Sequence, residues 1–139
     1  MQANPDCLFC KIAARQIPSE VIFEDDHVFA FLDVQPRTTG HAMVIPKYHA
    51  PRITELPDEE VGPLFLAVKH MAELLMKKLG CDGITIGANQ GRASGQEVDH
   101  LHVHLMPRWH GDGGGPIQRV VANPPKESLA DIRKKLLEG

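Results

Sequence analysis

The run His100-Leu101-His102-Val103-His104-Leu105-Met106-Pro107-Arg108 constrains this chain more than any other stretch. Side chains along a β-strand alternate between faces, so the three imidazoles are predicted to share one face while Leu101, Val103 and Leu105 share the other. Strand stability favours branched and aromatic apolar residues over a ladder of titratable rings, so the row points to chemistry rather than packing. Two chemistries fit. Neutral imidazole is the commonest protein ligand for zinc or copper. It is also a nucleophile at neutral pH, and a neighbouring imidazolium donates well to a phosphate oxygen. Three histidines on a merely solvated strand face are the plainer alternative.

At 139 residues the chain fits one domain spanning 1–139, long enough to bury a core without disulfide bridges. The formal net charge is −3, so no broad attraction to nucleic acid or an anionic membrane is expected and any anionic ligand must be held locally. The opening Met1-Gln2-Ala3-Asn4-Pro5-Asp6 lacks the basic and apolar regions of a secretory leader. No apolar run approaches bilayer-spanning length, and the expectation is a cytoplasmic protein. Three cysteines, an odd number, argue against a disulfide framework and leave Cys7 and Cys10 for metal or redox work. Cys81 is assigned no role.

In chain order, Asp6 is a good helix N-cap, and Cys7 to Arg15 reads as a short helix with Leu8, Phe9 and Ile12 inward. Val21-Ile22-Phe23 and Val28 to Leu32 read as a hairpin across the polar turn Glu24-Asp25-Asp26-His27. His41 to Ile45 reads as a third strand cut off by Pro46. Leu56 to Glu60 carries helix-start features, although Pro63 complicates them. Leu64, Val68, Met71, Leu75 and Leu79 predict one long amphipathic helix from about Pro63 to Leu79, stopped by Gly80. Met71 and Met76 read as packing residues. Ile84 to Ala88 is a fourth strand, antiparallel to the histidine strand. The tail 109–139 is irregular through Gly113-Gly114-Gly115 and Pro124-Pro125, then carries a short helix with Leu129, Ile132 and Leu136 on one side.

The linking stretch holds Asn89-Gln90-Gly91 and Ser94-Gly95-Gln96. Glycine permits positive φ and close backbone approach, so N–H groups here can converge on a phosphate, although a plain hairpin loop also needs glycine. The stretch Asn89 to Arg108, with His100-x-His102-x-His104, resembles the signature of the histidine triad (HIT) superfamily, in the branch of histidine triad nucleotide-binding proteins. Cys7-Leu8-Phe9-Cys10-Lys11-Ile12, Ile17-Pro18, Phe31-Leu32-Asp33 and His41-Ala42-Met43-Val44-Ile45-Pro46-Lys47-x-His49 are similar to family segments in the same order. The resemblance covers a core of about residues 6–108. It implies an α+β HIT-like fold, with an antiparallel sheet of about five strands, one long amphipathic helix and short terminal helices. It also implies a homodimer joined through the long helix and a sheet edge.

The resemblance further implies a nucleotide hydrolase or nucleotidyl transferase, with His102 attacking the α-phosphorus of a purine nucleotide to give a covalent nucleotidyl-histidine that water hydrolyses. The leaving group is an amine or a phosphate. His104 and Asn89 match phosphate-holding positions, His41 a supporting histidine, and Gly95 and Gln96 the phosphate loop. Asp33 matches a ribose-binding carboxylate, and Phe9, Ile12, Phe31, Leu32 and Val34 match the walls around the base. Read alone, Phe31, Ile12 and Val34 are equally well core residues, Asp33 a turn residue and His41 a surface strand residue. Glu97 stands where members often carry Ser or Thr, and a charged carboxylate close to phosphate would repel it. Trp109 and the tail also depart from the family pattern.

Cys7 and Cys10 have the spacing that places two thiolates on one tetrahedral metal, but a pair is only half a site. A thioredoxin-like reading is weakened because no strand precedes the motif. The resemblance implies that His49 and His100 complete a structural zinc site, with no cofactor required for catalysis. Free thiols are the alternative. Rival functions are a nucleotide-binding regulatory module with weak activity, a dinucleoside polyphosphate hydrolase, and a metalloenzyme with His100, His102 and His104 on one zinc or iron.

Overall fold

The hairpin forms as the sequence predicts: β1, Val21–Glu24, pairs antiparallel with β2, Val28–Leu32. The Asp25 carboxylate closes the turn by accepting from the N–H groups of His27 and Val28 at 2.8 and 2.9 Å, a local bond short acidic side chains favour. This computed structural model describes residues 3–138; Met1 and Gln2, part of the stretch read for a leader, and Gly139 lie outside the described residues.

The third strand, β3, runs Ala42–Pro46, so it starts after His41 and includes the proline expected to end it. Residues of an antiparallel strand point N–H and C=O to the same side. The Pro46 carbonyl reaches His100, on the side where the ladder from β3 to β5 has already stopped at Val44, so the missing N–H leaves no ladder position empty. β4, Gly83–Gly87, and β5, Val103–Arg108, complete one antiparallel sheet in the order β1-β2-β3-β5-β4. β5 is shorter than the predicted histidine strand. His100 and His102 precede its first ladder pair, although the alternation that buries Leu101, Val103 and Leu105 persists through them.

The long helix α2 runs Asp58–Leu79 and begins a turn earlier than expected. Asp58, Glu59 and Glu60 occupy its first turn, where carboxylates suit the positive helix end. Pro63 removes one intrahelical bond close to the start, at the carbonyl of exposed Glu59 where water can substitute. Leu64, Ala67, Val68, Met71 and Leu75 pack against Val28, Ala30, Val44, Leu101, Val103 and Leu105 on one sheet face. Leu79, expected inside, is partly exposed at the last turn, and Gly80 ends the helix in the left-handed region at φ 63°.

Across the sheet lies α1, Leu8–Ala13, capped by Cys7 rather than Asp6: the Cys7 sulfur accepts from the Cys10 N–H at 3.4 Å. The helix stops before Arg15, which turns back at φ 62°. Phe9, Cys10 and Ile12 are buried with Phe29, Phe31, Met43 and Ile45, whereas Leu8 faces outward because six residues offer only one inner stripe. The final helix α3, Leu129–Leu137, is capped by Ser128, but Leu129 and Leu136 are 80% and 78% exposed. Periodicity identifies an apolar stripe, not what covers it, and neither core cluster contains a tail residue. No described helix is long and apolar enough to cross a membrane.

Candidate active site

His100 and His102 are each oriented by a main-chain hydrogen bond, His104 by the side chain of His41, and the three bonds impose different jobs. Fully buried His100 donates from Nε2 to the Pro46 carbonyl at 2.8 Å, leaving the Nδ1 lone pair facing Cys7 Sγ at 3.3 Å and Cys10 Sγ at 3.5 Å. His102 donates from Nδ1 to the His100 carbonyl at 2.7 Å, so its lone pair sits on Nε2. Neutral imidazole carries one donor and one acceptor nitrogen, so fixing one fixes the other. The His102 ring is held edge-on between Phe9 and His104, with centroids 5.1 Å from each.

His104 is set through His41. The Arg37 backbone N–H donates to His41 Nδ1 at 3.1 Å, so His41 carries its proton on Nε2 and donates to His104 Nδ1 at 2.9 Å. His104 is therefore protonated on Nε2, a donor ready for an oxygen ligand. Asp33 Oδ2 stands 3.6 Å from His41 Nε2, beyond good hydrogen-bond distance but close enough to favour a proton on that nitrogen. Burial pushes His41 below the usual histidine range, against the pull of Asp33. Burial, reinforced by His102 and His41, pushes His104 down to about 4. Both rings are thus neutral at physiological pH, as the relay of single protons requires.

This depression gives stability a definite pH dependence. An unfolded His104 takes up a proton near 6.5, whereas the folded ring resists until about 4, so between those values protons favour the unfolded chain. Stability is expected to fall as pH drops from 6.5 towards 4. Urea unfolding at pH 7 and pH 5 should show a smaller loss in His104→Gln than in wild type, and equal losses would count against it.

The phosphate-loop residues form a turn pinned from within. Buried Gln96 accepts from the Gly91 N–H at 2.8 Å and donates to the carbonyls of Pro51 and Val98 at 2.7 and 3.1 Å, so its amide shapes the loop. Gly95 takes φ 99°, and a Cβ there would come within 3.9 Å of Asn89 Nδ2. Arg92 closes the turn by donating to the Gln96 and Glu97 carbonyls at 2.7 and 2.9 Å and pairing with Asp99 at 3.0 Å. The Glu97 side chain is exposed.

The candidate base walls separate. Phe9, Ile12 and Phe31 are buried beside Cys7 and Met43, and Leu32 packs on the α2 side. Val34 is 87% exposed and belongs to neither buried cluster. Asp33 Oδ1 accepts from the Gln35 N–H at 2.9 Å, leaving Oδ2 toward a concavity of about 390 Å³ that Leu32, Asp33, Arg37 and His41 help to line.

Cys7, Cys10, His49 and His100 present ligand atoms that all lie within 4.8 Å of one another. His49 Nδ1 stands 3.5 Å from Cys10 Sγ. Two thiols and two imidazole nitrogens, one with its lone pair already fixed, fit a closed tetrahedral zinc site. Burial raises the Cys10 thiol above its ordinary value, so metal binding must displace its proton. The three row histidines do not converge on one metal: His100 belongs to this cluster, His102 and His104 to the other. The sequence reading missed the Pro46 carbonyl, the Arg92 staple and Arg37. Pro46 and Arg37 act through main-chain atoms, which leave no residue-type signal.

A family model described as HIT domain matches residues 14–111. The chain belongs to the HIT family. An uncharacterised HIT-like protein of Methanocaldococcus jannaschii is 51% identical over 107 residues, covering 77% of this chain and 82% of that one. The adenosine 5′-monophosphoramidase HNT1 of Saccharomyces cerevisiae is 35% identical over 131 residues, covering 94% of this chain and 80% of its own length. A crystal structure of a zinc-bound histidine triad family protein from Mycobacterium smegmatis aligns with a TM-score of 0.73 at 32% identity, over 88% of this chain and 84% of that one. The fold is that of the HIT family, α+β with a five-stranded antiparallel sheet.

Proposed function

We propose that this HIT protein cleaves a purine nucleoside 5′-monophosphate from an amine or phosphate leaving group through a covalent nucleotidyl-His102. The observation that carries the reading is the 2.7 Å bond from His102 Nδ1 to the His100 carbonyl, which leaves Nε2 as the one lone pair of a buried, clamped ring. Nε2 forms a bond to the α-phosphorus while the bond to the leaving group breaks. The leaving group departs with the electron pair and takes a proton from solvent. Water then attacks the phosphorus and gives up a proton to solvent as the P–Nε2 bond breaks, returning the pair to Nε2 and releasing the monophosphate. Splitting one displacement into two lowers each barrier. The same carbonyl stabilises the charge the ring carries in the intermediate.

His104 Nε2–H and Asn89 hold the non-bridging oxygens, His41 keeps the His104 proton in place, and Gly95 and Gln96 shape the phosphate loop. Asp33 takes the ribose hydroxyls, and Phe9, Ile12, Phe31 and exposed Val34 border the base, whereas Leu32 packs towards α2. Cys7, Cys10, His49 and His100 hold a structural zinc, which ties α1 to the approach of β5 and takes no part in the reaction; the name of the Mycobacterium smegmatis relative supports a zinc site in this fold. The name of the yeast relative supports an amine leaving group. We assign residues 1–139 to a single domain of a cytoplasmic homodimer. Exposed Phe65, Leu66 and Met76 on α2 and Ile86 on the edge strand β4 suit burial against a second copy.

Mixing the protein with adenosine 5′-phosphoramidate and quenching in denaturant is expected to give an adduct one adenylyl group heavier, mapping to His102. Turnover without an adduct, or an adduct elsewhere, would remove His102 from its role.

A further inference from the structure

The cavity beside His104 is lined by Thr85 and Gly87 of β4, Met106 and Arg108 of β5 and residues of the tail segment 113–120, and has a volume of about 480 Å³. Asn89 and His104 are among its lining, so it borders the proposed phosphate position. Its roof is fixed by Arg108. Nε and Nη2 of that residue donate to the Asp112 carboxylate at 2.8 and 3.1 Å, and Nη1 donates to Thr85 Oγ1 at 3.0 Å and the Gly115 carbonyl at 2.9 Å. This clasp holds the tail loop over the sheet, and it leaves neither Arg108 nor Asp112 with charge to offer a ligand.

Arg37 lines this cavity and also the concavity that holds Asp33 and His41, so it sits at the border between them. No carboxylate pairs with its guanidinium among the described residues, which makes it the uncompensated cation of the lining. Its backbone is not free to drift, because its N–H donates to His41, and His41 to His104. A planar fork with unused donors, placed where a ligand group passes from one concavity to the other, is suited to a carboxylate or a phosphate.

We propose that this cavity receives the leaving group and that Arg37 recognises an anionic group carried on it, a phosphate or a carboxylate near the scissile bond. The inference rests on the nucleotide reading above and assigns its leaving-group side. Arg37 is a specificity residue: it favours anionic over neutral leaving groups.

Binding tests this without requiring turnover. In calorimetry on the zinc-loaded full chain at low salt, ADP is expected to bind about tenfold more tightly than AMP, a gap typical of one charge-assisted bond. Arg37→Gln is expected to bring the two affinities within about twofold, and Arg37→Lys to keep part of the gap, since charge survives but the fork does not. A second arm uses a His102→Asn chain to compare the glycine and ethanolamine phosphoramidates of AMP, which differ by one carboxylate. A gap that collapses in Arg37→Gln only for ADP assigns phosphate, and one that collapses only for the glycine compound assigns carboxylate. Gaps unchanged by Arg37→Gln in both arms, or no nucleotide binding at all, overturn the inference. Failure to form a His102 adduct while the ADP gap persists would instead remove the catalytic reading and leave the anion site standing.

Discussion

His102→Asn is expected to lower turnover of a nucleotide phosphoramidate by about ten-thousandfold, the scale of losing a covalent nucleophile. Asparagine preserves a donor towards the His100 carbonyl but offers no basic lone pair where Nε2 points, so the fold should survive and the chemistry should not. His104→Asn is expected to cost less, about a hundred- to a thousandfold, because it removes one donor to a charged oxygen and disturbs the His41 relay. The ordering is the discriminating result. Steady-state rates that place His104→Asn below His102→Asn, or a His102→Asn enzyme within tenfold of wild type, would assign the nucleophile elsewhere.

Removing the metal is expected to act on the fold. A zinc held by Cys7, Cys10, His49 and His100 would join the N-terminal helix to the segment entering β5. A ligand present at about a thousand times its dissociation constant stabilises a protein by about 4 kcal/mol, which in a domain of this size corresponds to roughly 10 °C in Tm. Chelation, or Cys7→Ser, should therefore lower Tm by roughly 10 °C, while kcat/KM measured well below the transition changes by less than about tenfold. Some loss of activity is expected, since the carbonyl that orients His102 belongs to His100, one of the four candidate ligands. Native mass spectrometry of freshly purified protein that shows no metal, together with an unchanged Tm in Cys7→Ser, would discard the zinc site.

These two results together separate the roles within the histidine row. A metalloenzyme with all three rings on one ion would lose activity and metal in parallel. His100 and His102 stand two residues apart and are linked by one hydrogen bond, yet only the His100 side chain joins the cysteine cluster.

Much of the architecture was legible because it rests on local preferences. The β1–β2 hairpin follows from two apolar runs flanking a polar acidic turn. α2 follows from apolar residues at three- and four-residue steps, with glycine at its end. The pairing of β4 with β5 follows from their separation by a turn-rich loop. Boundaries failed where tertiary contacts overrode local rules. Pro46 extends β3 because nothing pairs with it on the side of its missing N–H, and α2 accepts Pro63 because the lost bond lies near an exposed end. Leu129 and Leu136 carried the right periodicity for a helix, but among the described residues nothing buries them.

Residue chemistry, by itself, pointed to the row of histidines as the place for chemistry, to Cys7 and Cys10 as a pair able to share a metal, and to the resemblance with the HIT family. Those conclusions depend only on which side chains are present and how far apart they lie. Which nitrogen of each ring is free was decided by tertiary structure alone, because it depends on carbonyls and N–H groups, and every residue carries those. The Pro46 carbonyl turns His100 towards the cysteines, the His100 carbonyl leaves His102 with a free Nε2, and the Arg37 N–H, through His41, makes His104 a donor.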